Sequence, residues 1–131
     1  MPRFLRFDEQ TYVAAGHEDP QSPGVWKKVF FQKDDLRPGR IQMVNWARLP
    51  RGNTFAPHYH EDMQEIFVIL SGETRIRVGQ EEHTLRRGDA VLIDPREIHQ
   101  MWNDGADDVE YLAIGIAGGQ HGHTVLVERP S

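Results

Sequence analysis

The sequence predicts an all-β protein, either a sandwich or a small antiparallel barrel. Short runs of β-branched, aliphatic and aromatic residues recur along the chain, Gly, Pro, Asn and Asp separate these runs, and no segment shows the pattern of a long helix. Turn sequences at Ser71-Gly72 and Val78-Gly79 enclose one run, and their close spacing favours antiparallel neighbours. The predicted strands are residues 25–31, 41–49, 55–60, 65–70, 73–78, 82–85, 90–93, 99–103, 109–116 and 124–127.

The length of the chain, 131 residues, fits one domain with a single hydrophobic core. We expect residues 25–131 to form that domain as one β-barrel. Residues 1–24 are richer in Pro, Asp, Gln and Ser, so we expect them to be an irregular lead-in with no more than one short element.

Composition and charge exclude several classes of site and partner. The chain has no cysteine, which excludes disulfides, thiolate metal sites and cysteine nucleophiles. A net charge of −5 without a block of Lys or Arg argues against nucleic acid and anionic membranes as partners. The longest aliphatic and aromatic run, residues 66–70, is too short to span a bilayer, and residues 1–10 lack the apolar segment of a secretory signal. We therefore expect a cytoplasmic location.

The tripeptide His58-Tyr59-His60 places two imidazoles on one face of a strand, because successive side chains alternate between faces. Glu65 follows a polar break at residues 61–64, and we expect a hairpin there to return its carboxylate beside the histidines. A mixed set of imidazole and carboxylate ligands is typical of a transition-metal site. A histidine pair of this kind alone is weak evidence and more often represents two surface or hydrogen-bonded side chains, so the surrounding sequence decides the interpretation.

Two longer motifs contain these residues. Residues 52–72 read G-x5-H-x-H-x4-E-x6-G, and residues 88–103 keep Gly88, His99 and Asn103 of a second motif, G-x5-P-x-G-x2-H-x3-N. The two motifs and the short distance between them resemble the paired signatures of the cupin superfamily.

The second motif departs from the family pattern at two positions. Asp94 stands where the family usually has Pro, and Arg96 stands where it usually has Gly. Because Arg disfavours the positive φ that Gly accepts, the sequence does not determine the backbone conformation of this loop. Pro95 can supply rigidity in its place.

The resemblance implies a double-stranded β-helix, or jelly roll, that holds one divalent transition-metal ion: manganese, iron, nickel or zinc. The metal ligands that it implies are His58, His60, Glu65 and His99. The alternation of a strand is consistent with this set, since His99 points inward only if Met101 and Asn103 do so too.

The other histidines, His17, His83, His121 and His123, lie outside both motifs, and we interpret them as surface residues. A second group of side chains is expected to line the barrel, where apolar residues fill space or form a pocket wall. These residues are Phe67, Ile69, Met101, Ile114 and Ile116.

Four protein ligands leave coordination positions of a six-coordinate ion free for water or substrate, and three functional hypotheses follow for such a site. The first is a metal-dependent enzyme of dioxygenase, isomerase or decarboxylase type that acts on a small polar substrate. The second is a non-enzymatic module that binds a small carboxylate or sugar in the barrel, and the third is a structural cupin with little activity. The sequence identifies no general acid or base.

The sequence of the N-terminal half predicts that two copies of the chain associate through it. The predicted strands 25–31 and 41–49 add sheet edges, and Trp26, Phe30 and Phe31 add large apolar side chains. Together with the family resemblance, these features favour a homodimer. The alternative is that the segment folds back on its own barrel and buries these aromatic side chains.

Overall fold

The computed structural model describes residues 2–16, 19–118 and 123–127. These residues form two antiparallel sheets of five strands each and a separate two-stranded ribbon. In chain order the strands are β1 (Arg3–Leu5), β2 (Val13–Ala14), β3 (Trp26–Lys27), β4 (Arg40–Leu49), β5 (His58–His60), β6 (Met63–Ser71), β7 (Glu73–Val78), β8 (Glu81–Arg86), β9 (Ala90–Ile93), β10 (His99–Trp102), β11 (Val109–Ala117) and β12 (Thr124–Leu126).

The first sheet has the order β1-β9-β6-β11-β4, and the second has the order β12-β5-β10-β7-β8. From β5 onward consecutive strands alternate between the two sheets and face each other across the interior, except for β7 and β8, which pair as a hairpin in the second sheet. The β2–β3 ribbon lies outside both sheets. This arrangement confirms the predicted all-β fold and selects a double-stranded β-helix barrel over an ordinary sandwich.

The hydrophobic core fills the space between the two sheets. Strand alternation places inward side chains there, as in β7, where Thr74, Ile76 and Val78 are buried and Glu73 and Arg77 are exposed. β9 is buried along its whole length because β1 and β6 flank it. The core cluster consists of Leu49, Phe67, Ile69, Ile76, Val78, Leu85, Val91, Ile93, Met101, Val109 and Ala113.

The predicted strands 73–78 and 90–93 are confirmed to the residue, and most others differ by one or two positions. Two differ more. The predicted strand 25–31 is reduced to Trp26–Lys27, and the strand predicted from residue 55 begins at His58. Pro57, which cannot donate a backbone hydrogen bond, directly precedes that start.

The N-terminal segment is more ordered than the sequence indicates. Arg3–Leu5 pairs with β9 as an edge strand of the first sheet, and the ring of Phe4 stacks on His83 with centroids 3.7 Å apart. A short 3-10 helix follows at Phe7–Glu9. The boundary of the domain at residue 25 stays a prediction, although β1 contributes directly to the barrel. No helix in the described part of the chain is long and apolar enough to cross a membrane.

Gly72 and Gly88, two motif glycines, both adopt a positive φ, 85° and 87°. A Cβ atom at Gly72 would lie 2.6 Å from the carbonyl oxygen of Asp108, and one at Gly88 would overlap the ring of Phe7. Backbone conformation and space therefore both require glycine at these two turns.

Arg96 also has a positive φ, 68°, which no other non-glycine residue in the described ranges shares. The loop thus keeps the backbone shape that glycine usually provides, although arginine occupies the position. Its amide donates to the carbonyl of His60 at 2.7 Å, and the amide of Asp94 donates to the carboxylate of Glu97 at 2.8 Å. These hydrogen bonds hold the loop that leads into β10.

We predict that Arg96→Gly stabilises the metal-free protein by about 0.5 to 1 kcal/mol, because relief of the left-handed conformation exceeds the entropy cost of glycine. Urea unfolding of the variant and the parent protein measures the difference. Arg87→Gly is the control, since Arg87 has no positive φ and should lose stability. Equal destabilisation by both changes would contradict the prediction.

Candidate metal centre

Four potential metal ligands meet inside the barrel. His58 and His60 come from β5, His99 comes from the neighbouring strand β10, and Glu65 comes from β6 in the opposite sheet. Their ligand atoms all lie within 4.8 Å of one another. The structure therefore brings together the four residues that the sequence motifs single out.

The connection between β5 and β6 differs from the expected hairpin. β5 pairs with β10 and β12, whereas β6 pairs with β9 and β11, so the turn at Glu61-Asp62 carries the chain from one sheet to the other. The expectation that Glu65 lies beside the histidines is confirmed, but it reaches them across the barrel. A hairpin is wrong here because His60 and Glu65 belong to different sheets.

The centre is buried. His60, Glu65 and His99 expose 7%, 5% and 1% of their surface, and His58 is half-buried. The Oε1 atom of Glu65 lies 3.3 Å from Nε2 of His60 and 3.2 Å from Nε2 of His99. Three imidazoles thus surround one carboxylate in a site with little solvent.

Backbone carbonyls orient two of the rings. Nδ1 of His58 lies 2.7 Å from the carbonyl oxygen of Ala56, and Nδ1 of His99 lies 2.9 Å from that of Glu97. Because a carbonyl oxygen only accepts, each Nδ1 carries the proton and donates it. In the neutral rings, Nε2 is then left with a free lone pair, the form in which histidine binds metal.

His60 is oriented by a hydroxyl group. Its Nδ1 atom lies 3.0 Å from Oγ1 of Thr124 on the adjacent strand β12, which leaves Nε2 directed at Glu65. Support of this kind behind a ligand fixes the ring angle before an ion arrives.

The Nε2 atom of His99 shows whether these residues are suited to hold a metal ion. Nε2 of His99 is the one buried side-chain nitrogen or oxygen in the described ranges that has no hydrogen-bond partner. It lies 3.2 Å from Oε1 of Glu65, but with its ring proton on Nδ1 it has nothing to donate. Two lone pairs at this distance repel each other unless a cation or an added proton lies between them. The donor set therefore fits a divalent transition-metal ion.

The surroundings shift three pKa values. Burial raises the pKa of Glu65, but contacts with His60 and His99 outweigh it and lower the pKa to about 2. Burial lowers the pKa of His58, which keeps its ring neutral. Burial, followed by the charge of Glu65, raises the pKa of Tyr111. At neutral pH the centre therefore presents a carboxylate and an un-ionised phenol.

The remaining motif residue, Asn103, has a structural role. It is 2% exposed, and its amide donates to the carbonyl oxygens of Leu49 at 3.0 Å and Asp107 at 2.8 Å. Its side-chain oxygen accepts from the amide of Gly105 at 3.0 Å. Asn103 therefore closes the loop between β10 and β11 and does not belong to the metal cluster.

The other histidines lie away from the centre or outside the described ranges. His83 is half-buried against Phe4, so it is not the surface residue that we expected. His123 is exposed, as expected. His17 and His121 lie outside the described residues.

The interior wall also differs in part from the prediction. Phe67, Ile69 and Met101 belong to the core cluster, whereas Ile114 and Ile116 do not. The inward face of β11 consists of Val109, Tyr111, Ala113 and Gly115.

Tyr111, on the inward face of β11, was not among the side chains that the sequence analysis expected to line the barrel. Leu112, Ile114 and Ile116 form the more apolar set on β11, so the pattern pointed to the wrong face. The register against β6 could have identified the inward face, because Gly115 pairs with Glu65.

Comparisons with known proteins agree with the sequence motifs. A family model described as a cupin domain matches residues 45–115. An oxalate-binding protein of Thermotoga maritima is 35% identical over 69 residues, which are 53% of this chain and 57% of that protein. The chain therefore covers little more than half of the length of this relative.

Solved structures show the same architecture. A protein of Klebsiella pneumoniae with a double-stranded β-helix domain superposes with a TM-score of 0.60 and 20% identity over 79% of this chain and all of that one. A sugar phosphate isomerase of the cupin superfamily from Silicibacter pomeroyi gives a TM-score of 0.52 and 28% identity over 56% of this chain and 48% of that one.

Proposed function

The chain belongs to the cupin family, and on that premise we propose that it binds one divalent transition-metal ion and uses it to hold a small oxygen-rich ligand inside the barrel. The ligands in this proposal are His58, His60, Glu65 and His99. The observation that carries it is the unpartnered, buried Nε2 atom of His99 beside the carboxylate of Glu65.

The donor atoms narrow the choice of metal. Three imidazole nitrogens and one carboxylate oxygen suit manganese, iron, nickel or zinc, and the absence of cysteine excludes thiolate ligands. Because Glu65 supplies the one negative charge among these ligands, a divalent ion leaves the site with a net positive charge. An anionic ligand is therefore favoured.

We propose a small carboxylate as the ligand, with oxalate as its simplest representative. The resemblance to an oxalate-binding protein supports this class. The wall is mostly apolar, with Phe55, Phe67 and Met101 beside the centre, so a compact ligand fits better than a large polar one. When bound, the ion would supply a Lewis acid that holds ligand oxygens.

A metal-dependent enzyme is the second candidate, and its possible reaction types are isomerase, dioxygenase and decarboxylase on a small polar substrate. The 28% identity to a sugar phosphate isomerase favours it. Turnover separates the two candidates: the metal-loaded protein either converts a sugar phosphate or carboxylate, with or without oxygen uptake, or returns it unchanged. A cytoplasmic location, without nucleic acid or membrane partners, belongs to the same proposal and follows from composition and charge.

We predict that His58→Ala and His99→Ala each lose stoichiometric metal and keep the barrel fold, because the core lies between sheets that do not depend on the ion. Glu65→Gln should weaken binding without abolishing it, since an amide oxygen can coordinate but carries no charge. Elemental analysis of untagged protein measures metal content, and circular dichroism checks the fold. His83→Ala is the matched control, because His83 is half-buried outside the centre. Full metal content in both centre variants would overturn the proposed site.

We predict that acid weakens metal binding through the histidines. Glu65 stays ionised down to a pKa of about 2, so protons compete with the ion only at the imidazoles. Burial lowers the pKa of His58 from its ordinary value of 6.5, so its contribution should persist into the range below that value and then decline. Competition with a chelator of known protonation, from about pH 7.5 to about pH 5, measures the affinity. Affinity that is independent of pH over this range would contradict the assignment of histidine ligands.

We also propose that the chain forms a homodimer through its N-terminal half. β4 is ten residues long and, among the strands that the structure describes, is an edge of the first sheet that pairs with β11 alone. Ile41, Val44 and Trp46 on this strand are 64%, 60% and 70% exposed. Long apolar edge strands commonly pair across a two-fold axis. Of the three aromatic side chains named above, Trp26 is 56% exposed, as the dimer proposal expects, whereas Phe30 and Phe31 are half-buried, as the fold-back alternative expects.

We predict a mass of twice 15.1 kDa by light scattering. Val44→Glu should shift the protein to a monomer, because it places a charge in the proposed interface. Leu126→Glu is the control, since Leu126 is 72% exposed at the edge of the second sheet. A monomeric parent protein at high micromolar concentration, with Trp26 shielded from quenchers, would instead select the fold-back alternative.

A further inference from the structure

Tyr111 lies on the inward face of β11, next to the proposed metal centre. Its neighbours in register are Ile69 on β6 and Ala47 on β4. Its ring contacts Phe67 edge to face, with centroids 5.2 Å apart, and Phe67 in turn lies 6.1 Å from the ring of His99. One aromatic ring therefore separates Tyr111 from a residue of the centre.

The ring and the hydroxyl of Tyr111 have different surroundings. The ring packs against the core cluster, and the side chain as a whole is half-buried. The hydroxyl makes no hydrogen bond to a described residue, yet it is not among the sealed, unpartnered polar atoms. The hydroxyl therefore borders accessible space and is free to donate.

Tyr111 brings a hydroxyl group to a wall of apolar side chains. Among the core cluster and the side chains packed against it, Tyr111 alone carries one. Thr74, a buried hydroxyl in the second sheet, already donates to the carbonyl oxygen of Trp102 at 2.9 Å. Tyr111 thus presents a hydroxyl without a hydrogen-bond partner on this apolar wall.

Electrostatics is consistent with a donor role. A phenol is protonated at neutral pH, and burial, followed by the charge of Glu65, raises the pKa of Tyr111 further. A protonated phenol can donate to a carboxylate oxygen, and hydrogen bonds to charged acceptors are stronger than those between neutral groups.

We propose that Tyr111 is a ligand-positioning residue: its hydroxyl donates a hydrogen bond to the second carboxylate of a small dicarboxylate whose first carboxylate is held at the centre formed by His58, His60, Glu65 and His99. This inference rests on the proposed function. The added contact selects ligands that carry a second carboxylate at the right position. The metal ligands alone do not distinguish such ligands from monocarboxylates. A monocarboxylate should gain little from Tyr111.

The test compares Tyr111→Phe with the parent protein, both loaded with Mn²⁺, by calorimetric titration with oxalate and with acetate. The change removes one oxygen and keeps the ring that packs on Phe67. We expect oxalate affinity to fall about ten- to hundredfold, while Mn²⁺ affinity and acetate affinity stay unchanged. Tyr59→Phe is the matched control, because Tyr59 alternates with His58 and His60 and faces away from the centre. It should leave all three affinities unchanged.

The outcomes separate this inference from the proposed function. Equal oxalate affinity in Tyr111→Phe and the parent protein would overturn the inference and leave the metal site intact. A parallel loss of Mn²⁺ affinity would overturn it too, since Tyr111 would then support the centre and not the ligand. Failure of the parent protein to bind Mn²⁺ or oxalate would overturn the proposed function and, with it, this inference.

Discussion

The close approach of three imidazoles to the buried carboxylate of Glu65 is the constraint on which the rest of the structure depends. Without a cation or an added proton this cluster is unfavourable, because Nε2 of His99, whose ring proton lies on Nδ1, faces the carboxylate of Glu65 at 3.2 Å without a hydrogen to donate. The fold holds the groups together through rigid strands in both sheets. It therefore maintains an arrangement that only a positive charge can satisfy, which is what a preorganised metal site requires.

Hydrogen bonds around the cluster keep the histidine rings close to Glu65 although this approach is unfavourable without a cation. Each histidine ring is held at its Nδ1 atom by a hydrogen bond. The partners are the carbonyl oxygen of Ala56 for His58, the carbonyl oxygen of Glu97 for His99 and the hydroxyl of Thr124 for His60. The loop before His99 is fixed by the amide of Arg96, which donates to the carbonyl of His60. The same loop thus links two ligand strands and keeps a backbone shape that arginine disfavours. Local strain and ligand position are coupled at this point.

The sequence predicted the site better than it predicted the termini and the cavity wall. The resemblance of the two motifs to the cupin signatures implied His58, His60, Glu65 and His99 as ligands, whereas strand alternation by itself predicted only that His58 and His60 share a face. The sequence did not predict that Arg3–Leu5 pairs with β9, since an edge strand of three residues has no pattern of its own. The inward face of β11 was misassigned for a related reason: partner strands, and not local hydrophobicity, decide which face is enclosed.

The central claim is that the four residues form one metal site, and anomalous diffraction from crystals loaded with Mn²⁺ or Zn²⁺ tests it most directly. The account predicts one anomalous peak inside each barrel, about 2.0 to 2.2 Å from Nε2 of each of the three histidines and from a carboxylate oxygen of Glu65. The buried position of these residues makes an accidental surface ion at that place improbable. A peak elsewhere, with no density between His99 and Glu65, would contradict the account.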